Sequence, residues 1–248
     1  MNSLYTKMVL LTKTILFYAG SILALVLFSC MAVIIVPFMN SHKRQHLLTR
    51  YNVLVLWLSK CTCGVRYKIE GLENIQKGPC IILCNHQSSL ETFLLQTLFS
   101  PLSTVLKQEL LRVPFFGWGA KMLKAIPLDR RRPAQAYRQL ISQGKDRVLE
   151  NRSVLIFPEG TRVPTGAKVK FNRGGAALAY HTQVPIIPIA HNAGLRWSFK
   201  NLMLSPGIIT VRIGKPINST DKSKSELYDV STHWIESNRD KLMMLALS

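Results

Sequence analysis

Residues 80–93, CIILCNHQSSLETF, split into two halves of different character. Cys80–Cys84 is a short unbroken apolar run, as expected of a strand buried on both faces. Ser88–Glu91 fits S-x-x-E, a helix-starting box in which the glutamate reaches back to the serine backbone N–H. Between them stands His86, at the carboxyl end of the strand, where open α/β sheets place their ligands. The box accounts for Glu91 but not for His86. On one continuous helix, residues five apart diverge by about 140°. The two therefore meet only if His86 lies in the loop and Glu91 in the first helical turn. A carboxylate bonded to one imidazole nitrogen would fix the tautomer and make the other nitrogen a better base. A helix cap and a proton-moving pair are both open readings.

Working outward, the same texture of short strands and helices continues from about Val65. Expected strands are Arg66–Glu70, Cys80–Cys84, Thr104–Leu106, Ile126–Leu128, Val154–Phe157, Pro185–Ile189 and Ile208–Ile213. Pro133 suits the first turn of a helix, PAQAYRQLISQGKDRVLEN, whose apolar face carries Tyr137, Leu140, Ile141, Val148 and Leu149. A short helix is expected over Gly174–Tyr180. A C-terminal helix carries Leu227, Val230, Trp234 and Ile235 toward the core. Strands alternating with helices give an α/β domain over residues 65–248, with a central, largely parallel or mixed sheet flanked by helices.

Residues 1–64 read differently. Ile15–Phe38 is free of charge over 24 residues. As a helix it would measure about 36 Å, enough to cross a hydrocarbon core of ~30 Å. The apolar run is too long for a signal peptide and no small-residue cleavage site marks its end, so an uncleaved N-terminal membrane anchor is expected. Tyr51–Leu58, YNVLVLWL, is too short to span and is expected to return along the interface. Whether the anchor crosses the bilayer or the two pieces dip into one leaflet stays open. Lys7 and Lys13 precede the apolar run, and Lys43, Arg44 and Arg50 follow it. This balance leans toward a cytoplasmic C-terminal side, in a bacterium the cytoplasmic face of the inner membrane.

The chain has 32 Lys and Arg against 13 Asp and Glu, a formal charge of +19, with 48% hydrophobic residues. That combination favours an anionic membrane surface or a phosphorylated substrate over nucleic acid, since the basic residues form no aromatic-interleaved motif. The five cysteines are odd in number, sit in apolar runs and are expected to be reduced. The six histidines show no clustered ligand spacing, so neither a metal nor any other cofactor is implied.

A second motif follows the strand SVLIF: Phe157-Pro158-Glu159-Gly160-Thr161-Arg162. Gly160 permits a tight backbone path, and Arg162 offers a planar fork for phosphate oxygens. Glu159 is expected to hold that guanidinium, and backbone N–H groups near Gly160 to serve an oxyanion. Neither Ser88 nor Ser89 sits in a G-x-S-x-G turn, which disfavours a serine hydrolase.

Together, NHQSSLE, FPEGTR and VPIIPIA (Val184–Ala190) resemble the glycerolipid acyltransferases typified by 1-acylglycerol-3-phosphate acyltransferase, over roughly Tyr67–Ile217. The family motif has Asp where this chain has Glu91, one methylene longer. The resemblance implies His86 and Glu91 as catalytic residues. It implies a phosphate site from Lys107 in VLKQELL, Arg130 in IPLDR, and Glu159, Gly160, Thr161 and Arg162. Gly117 and Gly119 would fill the stretch before Arg130, and Lys170, Arg173 and Gly174 a segment after FPEGTR. The implied reaction moves an acyl group from acyl-CoA or acyl carrier protein to the sn-2 hydroxyl of lysophosphatidic acid, with another lysophospholipid or glycerol-3-phosphate as acceptors that need similar chemistry. The rival from another class is a non-catalytic basic membrane-binding protein, which would have no use for His86 together with FPEGTR.

Overall fold

The computed structural model describes residues 3–200 and 202–246. Two long helices come first, α1 (Ser3–Ile35) and α2 (Ser41–Cys63). The α/β part follows: β1 (Val65–Glu70), β2 (Ile81–Cys84), α3 (Leu90–Leu98), β3 (Leu102–Lys107), α4 (Phe116–Met122), β4 (Ile126–Leu128) and α5 (Pro133–Leu149). It ends with β5 (Ser153–Ile156), α6 (Gly174–Thr182), β6 (Ile186–His191), β7 (Gly207–Ile213) and α7 (Lys224–Leu245). The strands form one sheet in the order β1-β7-β6-β2-β5-β3-β4. Every ladder is parallel except β6–β7, so the sheet is mixed, as the sequence indicates.

The strand period of two sorts the core into two layers. Ile82 and Cys84 of β2, Leu155 of β5 and Ile187 of β6 pack on Leu90, Leu94 and Leu95 of α3 and, farther out, on Phe17, Val55 and Leu56 of the N-terminal helices. Ile81, Leu83, Val154 and Ile186 point the other way, onto Leu140 of α5, Leu178 of α6, and Leu227 and Ile235 of α7. Since β2 and β5 are central strands buried on both faces, their apolar runs are uninterrupted.

The N-terminal helices depart from the expected bounds. The apolar helix begins at Ser3, well before Ile15, and ends at Ile35, where Pro37 tightens Val36–Phe38 into a 3-10 turn. Tyr51–Leu58 is not a short segment but the middle of α2, a 23-residue helix. It starts where the Asn40 side chain accepts the Lys43 N–H, and stops at Gly64 in the left-handed region, φ +70°. Its charged first turn hides the helix from an apolar-run reading.

The face pattern of α1 is inverted relative to a soluble helix. Thr14, Phe17, Ser21 and Ala24 are buried against the protein, while Ile22, Leu23 and Leu27 are each about 60% exposed. Trp197 donates its indole N–H to the Tyr18 hydroxyl (3.2 Å), and the Leu204 N–H reaches Thr14 Oγ1 (3.3 Å). On α2, Gln45 is buried against Arg152. The Arg152 guanidinium donates to Gln45 Oε1 (2.6 Å), Ser103 Oγ (3.0 Å), and the Leu102 (3.1 Å) and Leu123 (2.9 Å) carbonyls. One cation thus ties α2, β3 and the turn after α4 together.

Candidate active site

The site is built where β2 ends. The ladder between β2 and β6 does not stop with Cys84, because the Asn85 side chain prolongs it. Its Oδ1 accepts the His191 backbone N–H (2.9 Å), and its Nδ2 donates to the His191 carbonyl (3.1 Å). His191 Nδ1 accepts the Ala193 N–H (3.1 Å), so the proton sits on Nε2, which donates to the Asn85 carbonyl (2.7 Å). His191 is fully buried, and burial lowers its pKa, so it is neutral. Sequence reading missed both residues, because their partnership spans more than a hundred positions.

This anchored loop presents His86. Its ring stacks on Phe157, centroids 3.9 Å apart and planes 14° apart. Its Nδ1 lies 2.8 Å from Glu91 Oε1. The carboxylate only accepts, so Nδ1 bears the proton and Nε2 is left with its lone pair. Glu91 Oε1 also accepts the Gln87 (3.0 Å) and Ser88 (2.8 Å) backbone N–H groups. Glu91 thus makes both the ring contact and the cap contact in one geometry, with half of the capping box altered: Ser88 Oγ takes the Leu90 N–H instead of that of Glu91. Burial works to raise the Glu91 pKa, but the bonds from the His86 ring and the Ser88 N–H outweigh it and hold the carboxyl below its ordinary value. The added methylene of Glu over Asp is accommodated without loss of the bond to His86.

The FPEGTR turn lies against the same loop. The Val163 N–H bonds to the His86 carbonyl (2.8 Å), and Arg162 Nε donates to the Ser88 carbonyl (3.1 Å). Glu159 does not hold Arg162. Its side chain is buried behind the loop, accepts the His86 backbone N–H (2.6 Å), and faces Arg239 of α7 at 3.8 Å. Gly160, at φ +72°, reverses the chain between them, so the glutamate turns inward while Thr161 and Arg162 stay exposed. The Gly160 N–H is taken by the Phe157 carbonyl (3.0 Å), which removes it as an oxyanion donor. Arg239 is the third residue that sequence reading missed, again a long-range partner within a helix that looked purely structural.

A cavity of about 630 Å³ opens beside His86. Lys107, Arg130, Thr161 and Arg162 line it, whereas Glu159 and Gly160 do not. The rest of the wall is largely apolar and comes mostly from the first four helices, β3 and the segment before α4, including Phe28, Tyr51, Phe93 and Phe116. Gly117 is buried where a Cβ would lie 2.3 Å from the Leu111 carbonyl oxygen, so it serves close backbone packing. Lys170 is exposed, Gly174 opens α6, and Arg173 lies 5.1 Å over the Tyr228 ring, a structural cation–π contact.

Residues 66–192 match the family described as Acyltransferase. The chain belongs to that acyltransferase family. It is 40% identical over 227 residues to a 1-acyl-sn-glycerol-3-phosphate acyltransferase of Pseudomonas aeruginosa, covering 90% of this chain and 88% of that one. The same name belongs to a Saccharomyces cerevisiae relative, 34% identical over 76% of this chain and 62% of its own length. The fold matches the crystal structure of the 1-acyl-sn-glycerophosphate (LPA) acyltransferase from Thermotoga maritima with a TM-score of 0.81, over 95% of this chain and 97% of that one, at 22% identity.

Proposed function

We propose that the chain transfers a fatty acyl group from a thioester donor, acyl-CoA or acyl carrier protein, to the sn-2 hydroxyl of 1-acylglycerol-3-phosphate, giving phosphatidic acid. His86 Nε2 takes the hydroxyl proton as the oxygen attacks the thioester carbonyl. The C–O bond forms, the C–S bond breaks, and the proton passes to the leaving thiolate. A positioned base of this kind contributes about 10²–10⁴-fold. Lys107, Arg130 and Arg162, with Thr161, grip the acceptor phosphate and so hold the hydroxyl in line. Glu91 orients the imidazole. Glu159 acts as a positioning residue behind it and makes no substrate contact. The chemistry asks for no cofactor beyond the donor.

The observation that carries this reading is that one cavity is lined both by the Glu91-oriented His86 and by three cations. Its apolar wall favours an acceptor that itself bears a hydrocarbon chain, rather than glycerol-3-phosphate. The test is to incubate membranes holding the protein with labelled acyl-CoA or acyl carrier protein and lysophosphatidic acid, with glycerol-3-phosphate in parallel. Phosphatidic acid should form with wild type and not with His86→Ala. Equal labelling of glycerol-3-phosphate would overturn the acceptor assignment.

The membrane reading favours one leaflet. Between Thr14 and Ser29, α1 touches the α/β part at both ends: Thr14 bonds to Leu204, and Ser29 Oγ donates to the Phe115 carbonyl (3.3 Å). A helix held flat against the protein turns only its outer face to lipid, as an interfacial helix does. The basic surface then rests on anionic headgroups at the cytoplasmic face.

A further inference from the structure

The segment from Leu110 to Met122 presents a cluster of large apolar side chains at the edge of the cavity. Leu110, Val113, Phe116 and Trp118 are each between 38% and 45% exposed. Helix α4, seven residues long with two glycines, has little propensity of its own, so its conformation depends on what it lies against. It lies against α1: Ser29 Oγ bonds to the Phe115 carbonyl, and Trp118 shares a shallow apolar dimple with Val33. Val33, Ile34 and Phe38 are exposed at this end of α1, so the apolar surface runs on from the helix assigned to the leaflet. Arg112 and Lys121, both exposed, flank the cluster with positive charge, the arrangement of an aromatic and basic belt at a bilayer surface. The same four side chains also line the cavity, so the cluster stands where the cavity meets the surface.

We propose that residues 110–122 form a second membrane-contacting element, inserted beside α1 into the headgroup region of the same leaflet, which opens the cavity sideways to lipid. This rests on the one-leaflet reading of α1. The occupant of the patch is a lipid surface bearing anionic headgroups, and Trp118 is its aromatic anchor.

The experiment uses the full chain in vesicles of phosphatidylcholine and phosphatidylglycerol, with and without bromine atoms on the lipid chains. The fluorescence difference between wild type and Trp118→Phe isolates the Trp118 signal. That signal should lose most of its intensity in brominated vesicles and resist aqueous acrylamide, whereas in detergent at low lipid it should not respond to the brominated chains. If vesicles carry the protein on flotation but acrylamide quenches Trp118 and bromine does not, the second contact is overturned while the α1 assignment stands. Failure of the chain to float at all overturns both.

Discussion

The catalytic loop and the cationic rim of the cavity are built to opposite rules. Around His86 almost every polar group is committed: ring to Glu91, backbone N–H to Glu159, carbonyl to Val163, with Asn85 zipped to His191. The rim cations Lys107, Arg130 and Arg162 are exposed, and Arg162 alone among them makes a hydrogen bond within the protein, to the Ser88 carbonyl. Proton transfer depends steeply on distance and angle, so a fixed imidazole suits the proposed role of His86 as base. In the proposed mechanism these cations grip a phosphate, a task for long-reach charge that tolerates movement.

The sharpest break of this contrast is His86→Ala, which should lower the transfer rate by about 10²–10⁴-fold while circular dichroism stays that of wild type. Residual turnover above roughly a tenth of wild type would rule out His86 as the base. Next comes Glu91→Gln. The amide still serves a capping box, so a cap-only role predicts near-normal activity. If the carboxylate sets the imidazole tautomer, kcat should fall by about 10²-fold with KM little changed. On the rim, Arg162→Ala should raise the KM for lysophosphatidic acid by about tenfold, or about 1.4 kcal/mol, leaving kcat nearly intact. A loss confined to donor affinity would reassign it.

The last prediction concerns stability and leaves the chemistry aside. Burial pushes the Glu159 carboxyl up to about 7 from an ordinary 4.5, against the pull of the His86 N–H and Arg239, with Glu91 and Glu236 adding to the rise. The folded chain then binds this proton more tightly than the unfolded chain. Its stabilising contribution is whole below about 4.5 and is lost as pH rises through about 7, on the order of 3 kcal/mol. Thermal melts between pH 5 and 8 should fall in wild type and flatten in Glu159→Gln. An unchanged slope in the variant would locate the pH dependence elsewhere.

Much of this was legible in the chain. All seven strands fall where alternation or short apolar runs place them, because a central strand declares itself through its own residues. The histidine, its carboxylate and Arg162 were also legible, since each stands in a local motif, whereas Lys107 and Arg130 came only through the family resemblance. What escaped was non-local or weakly patterned. Helix α4 has seven residues and two glycines, too few for a period to emerge. The partners of Glu159 and Asn85 come from elements far along the chain, and burial, not spacing, makes them partners. Glu159 was misread for that reason: next to Arg162 in sequence, it faces the opposite way.

The guanidinium of Arg152 has a consequence for anyone wishing to trim the molecule. Removing the first 64 residues would strip away Gln45 and uncover the apolar layer that Phe17, Val55 and Leu56 now roof. Such a truncate should aggregate instead of yielding a soluble catalyst, and its recovery would require a detergent or a grafted helical cover.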